Sequence, residues 1–131
     1  MYTVKFKLDN MGYMPQRTTP TSNVFNLKAT QTRTIYENDS LTFDTKVHII
    51  LPEGLSALIY PNFYLCKTHN LMSFAEANID SNFQDTIQIK VFNFNDCDYT
   101  IHRGDIIGQL VLYKNIIDLN TVEIEEIWNS L

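Results

Sequence analysis

The stretch ANIDSNFQDTIQIKVFN, Ala77–Asn93, decides how this chain reads. It holds a polar turn, Asp80-Ser81-Asn82. A run follows in which Ile87, Ile89 and Val91 fall on one side and Gln88, Lys90 and Phe92 on the other. Side chains along a strand alternate between faces, so the pattern describes a strand with one face in a core, entered from a tight turn. The segment reads as a β-hairpin. A second stretch, TIHRGDIIGQLVL at Thr100–Leu112, adds a tight turn at Arg103-Gly104-Asp105 and the apolar run Ile106–Tyr113. That run alternates little and is expected to be covered on both faces.

Working outward, Tyr2, Val4, Phe6 and Leu8 alternate with polar residues, as do Leu41, Phe43, Thr45, Val47 and Ile49. Val24–Ala29, Leu55–Tyr60 and Tyr99–His102 read as shorter strands. Asn10–Ser22 carries Gly12, Pro15 and Pro20 and reads as a loop or sheet edge, because proline cannot donate to a ladder. Gln31–Ser40 is polar and ends in a turn signal. Asn62–Glu76 is the least regular segment, with room for a short helical turn ending at His69-Asn70. Short strands, frequent turns and no amphipathic helix indicate an all-β sandwich or barrel. The 131 residues suffice for one domain, 1–131, with a real core.

A net charge of −5 argues against nucleic acid or an anionic membrane as the partner. Cys66 and Cys97 form no CxxC and read as reduced residues of an intracellular protein, small core or semi-buried side chains rather than nucleophiles. The N-terminal MYTVKFKLDN has no apolar leader core, and no apolar run approaches membrane-spanning length. His48, His69 and His102 are scattered, so no metal site is expected. No glycine-rich phosphate loop occurs.

The order Asn26-Leu-Lys-Ala29, Leu51-Pro-Glu-Gly54, Pro61 to Leu65, His69, Ile79-Asp80-Ser81 and Ile101–Gln109 resembles the trimeric dUTP pyrophosphatase (dUTPase) family from about Asn10 to Tyr113. The resemblance implies a distorted jelly-roll packed as a threefold homotrimer, with active sites between subunits. It implies that residues 115–131 form an arm, with Thr121–Glu125 able to pair as a strand on a neighbour. It also implies hydrolysis of dUTP to dUMP and pyrophosphate with Mg²⁺. Asp80 matches the carboxylate that positions water. Ile79 lies in the hairpin whose backbone reads uracil. Phe83 stands where a tyrosine packs on deoxyribose, and Gln109 matches a phosphate-side glutamine.

The departures are concentrated where charge is handled. Asn26 replaces the metal-side Asp of the first motif, and Mg²⁺ prefers anionic oxygen. Pro61-Asn62-Phe63-Tyr64 replaces Pro-Arg-Ser-Gly, removing the Arg and Ser that hold phosphate. Ala77 and Asp85 replace hairpin glycines, and the arm lacks the glycine-rich, Arg-bearing fifth motif. A triphosphate must be neutralised before it is attacked. Losing two transition-state contacts of about 3 kcal/mol each costs about 10⁴ in rate.

The expectation is therefore a viral-type accessory protein that keeps the dUTPase fold without the reaction and acts by binding a host or viral protein. Ile79, Phe83 and Gln109 are then vestigial, and no cofactor is needed. Asp80 has two readings, a surviving general base or a residue that suits a tight turn; the second is favoured. Phe63 and Tyr64 are either core residues or an exposed patch for a partner. Two alternatives stand: a divergent active dUTPase using Asp80 and Mg²⁺, and a regulator that binds nucleotide without hydrolysing it.

Overall fold

The computed structural model describes residues 1–75, 77–115 and 119–128. Two antiparallel sheets face each other. One carries β1 (Lys5–Leu8), β5 (Ser40–Ile50), β8 (Thr86–Asn93) and β7 (Leu71–Ala75) in the order β1-β5-β8-β7. The other carries β2 (Gln16–Arg17), β3 (Val24–Lys28), β10 (Ile106–Lys114) and β6 (Leu55–Pro61) in the order β2-β3-β10-β6. A two-stranded ribbon, β4 (Arg33–Ile35) with β9 (Tyr99–Ile101), completes an all-β sandwich of the jelly-roll type. A helix, α1 (Phe63–His69), links β6 to β7.

The alternation read from sequence is the burial that is found in β5 and β8, whereas in the first set Tyr2 and Leu8 are exposed and Phe6 is half-buried. Phe43, Val47 and Ile49 of β5 and Ile87, Ile89 and Val91 of β8 are buried against Phe25, Leu27, Ile107 and Leu110 of the opposite sheet. Ile35 and Ile101 carry the same core into the β4–β9 ribbon. Thr45 is buried in phase with Phe43 and Val47, at a point where the ladder is interrupted. Asp44 lies opposite Gln88 and His48 opposite Thr86, so β5 bulges between them. At the bulge the Thr45 hydroxyl donates to the Ile87 carbonyl at 2.6 Å. A buried carbonyl without a ladder partner must be satisfied in some such way.

Four expectations need correction. The polar Gln31–Ser40 segment contains β4, because Thr34 and Thr100 pair through their hydroxyls across the ribbon at 2.9 Å. The strand that precedes the central turn is Leu71–Ala75, while Ile79 makes only a single bridge, to Ala57. β10 is covered on both faces only near Ile107 and Gly108; Val111 and Leu112 are half-buried and Tyr113 is exposed. Cys97 is exposed, although Cys66 is half-buried as expected.

Helix α1 starts because the Asn62 side chain accepts the Tyr64 amide N–H, and it stops at Asn70, which adopts a left-handed conformation at φ 56°. The tail forms a 3₁₀ turn at Leu119–Thr121. Beyond it, residues 122–128 have no regular structure and leave Val122, Ile124, Ile127 and Trp128 exposed. Glu76 and the parts of the expected arm at 116–118 and 129–131 lie outside the described residues.

Candidate functional site

The loop between β7 and β8 is held by its own backbone and by β6. Ile79 is buried, and its carbonyl accepts the Ala57 N–H at 2.9 Å, pinning the loop to the neighbouring sheet. Asp80 then makes the turn. Its carboxylate accepts the Asn82 N–H at 2.9 Å. Its carbonyl accepts the Phe83 N–H at 3.1 Å. An aspartate that bonds the backbone two residues on is a standard turn-former. Phe83 is half-buried and packs on the core. Asp85 ends the loop, its Oδ1 accepting the Thr86 N–H at 2.8 Å as β8 begins.

Beside this loop lies an open cleft of about 240 Å³. Its apolar lining comes from Ile59, Ala75, Ala77, Ile79, Phe83 and Ile87, and its polar lining from Asp85, Thr86 and Gln88. Phe63 and Tyr64 do not line it. Both sit on the first turn of α1 and are about two-thirds exposed, at 62% and 63%. Of the two sequence readings for this pair, core is excluded and exposed patch remains. The Tyr64 ring meets His69 at 5.4 Å and His69 meets Tyr99 at 5.2 Å, so an aromatic row runs from the helix to β9. Burial, then the Asp105 charge, then Tyr64 push the Tyr99 hydroxyl above its ordinary pKa.

Gln109 lies elsewhere. On β10 it stands opposite Asn26 of β3 and Tyr60 of β6, and its Nε2 donates to Asn26 Oδ1 at 3.1 Å. The next pair in the β10–β6 ladder is Leu110 with Ile59. Leu110 points into the core and Ile59 lines the cleft, so alternation places Asn26, Gln109 and Tyr60 on the outer face of the same sheet. Within one chain, then, Ile79, Asp80 and Phe83 form one group and Asn26 with Gln109 another, on opposite faces of a sheet.

The charged and amide residues of the remaining motifs have structural work. Asn62 caps α1 and donates through Nδ2 to the Ile106 carbonyl at 2.7 Å. Arg103 donates through Nε to the Tyr13 hydroxyl at 2.9 Å and lies over the Tyr13 ring. The Asn26–Gln109 bond joins residues 83 apart in sequence, and no local pattern signals it. The contribution of Ile59 to the cleft is equally silent, since it depends on which strand lies beside the loop.

Comparison with known proteins places these features. The family model for dUTPase matches residues 10–130. The deoxyuridine 5'-triphosphate nucleotidohydrolase of Arabidopsis thaliana is 26% identical over 92% of this chain and 72% of its own length. That of Escherichia phage T5 is 25% identical over 98% of this chain and 91% of its own length. Among solved structures, the dUTPase of Staphylococcus bacteriophage 80alpha superposes with a TM-score of 0.80 at 19% identity, covering 98% of this chain and 99% of that one. That phage protein is described as controlling transfer of virulence genes by a proto-oncogenic G protein-like mechanism. At this identity the likeness speaks for the fold.

Proposed function

The chain belongs to the dUTPase family, and from that membership we propose that it is a non-catalytic member, a viral-type accessory protein that acts by binding another protein. The observation that carries this reading is the Asn26–Gln109 pair. Two neutral amides bond to each other where the family resemblance calls for a carboxylate facing metal and a glutamine facing phosphate. The same reading is supported by Asp80, whose carboxylate is engaged in its own turn and does not line the cleft. It is supported by Asn62, which caps a helix where an arginine would grip phosphate. The exposed Phe63 and Tyr64 offer an aromatic patch to a partner. The regulatory role of the phage 80alpha relative is a precedent for this fold acting through other macromolecules.

The family's Mg²⁺ does not fit this donor set. Mg²⁺ is held through one or two carboxylates and substrate phosphates. Here the corresponding side chain is an amide already bonded to Gln109. Among the described residues no group of His, Cys, Asp and Glu is gathered that would hold a metal ion.

The test is pyrophosphate release from dUTP with Mg²⁺, with the phage T5 relative run alongside. Release is expected to be about 10⁴-fold slower or less, the loss anticipated for two missing transition-state contacts. Asp80→Asn is expected to leave any residual rate unchanged. Turnover near that of the control, abolished by Asp80→Asn, would overturn the proposal.

One observation favours a second reading. The cleft beside Phe83 is open, so a deoxyuridine nucleotide has space to bind without being hydrolysed. Calorimetry with dUMP tests it, and no heat up to millimolar ligand removes it.

We also infer that residues 1–131 act as one domain that assembles as a trimer, the tail reaching a neighbour. The split of the site residues across two faces of a sheet supports assembly, and the exposed Ile124, Ile127 and Trp128 give the tail apolar surface to bury. Light scattering is expected to give a multiple of the 15.2 kDa chain mass. A monomer mass at every concentration ends the idea.

A further inference from the structure

We propose that the cleft beside the β7–β8 loop takes an arginine side chain presented by a basic segment of a partner protein. This rests on the non-catalytic, protein-binding reading above and gives the partner a chemistry.

Three properties of the cleft point to this occupant. Its volume of about 240 Å³ has room for a long side chain. Its walls include Ile59, Ile79 and Ile87, against which the methylene stem of an arginine packs while its head stays at the polar lining. The lining also holds the Phe83 ring and the Asp85 carboxylate. An aromatic ring and a carboxylate together match a guanidinium, which stacks on rings and donates in a planar fork to carboxylates.

Charge decides against the alternatives. Asp85 is the one charged residue lining the cleft among the described residues. One of its oxygens is engaged by the Thr86 N–H, and the other makes no hydrogen bond among the described residues. Within one chain, a phosphate-bearing ligand would meet that carboxylate with no lining cation among the described residues to offset it. A cation gains from it, and the protein's net charge of −5 steers basic segments toward the surface. Lysine fits less well than arginine, because an ammonium has neither the fork nor the flat face.

The test is a ¹H–¹⁵N NMR titration of the full chain with a short acetylated, amidated peptide containing a central arginine. A peptide with citrulline in its place keeps the size and planar shape, exchanges one guanidinium nitrogen for a carbonyl oxygen and removes the charge. Shifts are expected at residues 83–88 with the arginine peptide, and affinity about tenfold lower with citrulline. Asp85→Asn, which keeps an acceptor for the Thr86 N–H, is expected to weaken the arginine peptide by a similar factor and leave the rest of the spectrum in place. Equal affinity for the two peptides, an unaffected Asp85→Asn variant, or shifts confined to other surfaces would overturn the proposal. Pyrophosphate release measured on the same preparation separates the two failures. Turnover removes the non-catalytic reading, whereas silence toward arginine without turnover removes only the arginine site.

Discussion

Replacing Asn93 by alanine is expected to cost the fold about 3–5 kcal/mol, several times the effect of an ordinary polar truncation. Asn93 is the last residue of β8 and is fully buried, at 0% exposure. Its side-chain amide donates to the Ile35 carbonyl at 3.0 Å and to the Cys97 carbonyl at 2.9 Å. Its Oδ1 accepts the Asn95 N–H at 2.9 Å and the Asn95 side-chain amide at 2.8 Å. Asn95 in turn donates to the His69 carbonyl at 2.7 Å. One side chain therefore ties the end of β4, the turn leading into β9 and, through Asn95, the end of helix α1. Alanine removes a donor from two carbonyls, each loss costing about 1–3 kcal/mol where the carbonyl stays dry and finds no other partner. Asn93→Asp keeps the acceptor and loses the donor, placing a carboxylate against two carbonyls, and should cost at least as much. Asn95→Ala, at a half-buried position where water can substitute, should cost less. Urea unfolding at constant m-value measures all three. A loss below about 1 kcal/mol for Asn93→Ala would show that the three segments hold without their common residue.

Asn93 also marks the limit of what the sequence makes legible. The alternation of Ile87, Ile89 and Val91 announces the strand and its buried face, because a strand's period is local chemistry. The same reading runs one step further to Asn93, which falls in phase with the isoleucines, yet asparagine in a core looks like an error until its partners are in place. Those partners, Ile35 and Cys97, come from segments whose proximity depends on topology. The candidate site divides in the same way. The turn at Asp80 is legible from Asp-Ser-Asn alone, and in the structure its carboxylate accepts the Asn82 N–H. The helix at Phe63–His69 is half legible, since Asn62 and Asn70 are good caps, but nothing local says that Phe63 and Tyr64 face outward. That Gln109 is bonded to Asn26, and that both lie across a sheet from Phe83, follows only from strand order. Spacing along the chain shows which residues belong to a family's motifs. It does not show which of them one chain can bring together.

A close approach of the two sheets should show itself in a double mutant whose cost is less than the sum of its parts. Gly108 on β10 faces Ile89 on β8 across the sandwich, and both are buried. A Cβ added at Gly108 would stand 2.9 Å from Ile89 Cδ1, with the Tyr60 carbonyl oxygen next at 3.4 Å. The first distance is too short, but its far partner is the end of a side chain that can turn. Gly108→Ala is expected to cost about 1–2 kcal/mol, since overpacking costs about 1–3 and replacing a strand glycine returns part of it. Ile89→Ala alone removes methyl and methylene groups from the centre of the core and leaves a cavity, at about 3–4 kcal/mol. In the double variant the new methyl enters the space that the isoleucine vacated. The clash is gone and the cavity is smaller, so the total should fall short of the sum by about 1–2 kcal/mol. Strict additivity, within about 0.5 kcal/mol, would mean that the two sites do not share space. The glycine would then be at this position for a reason other than the closeness of the sheets. Sub-additivity identifies Gly108 as the residue that lets β10 lie against β8.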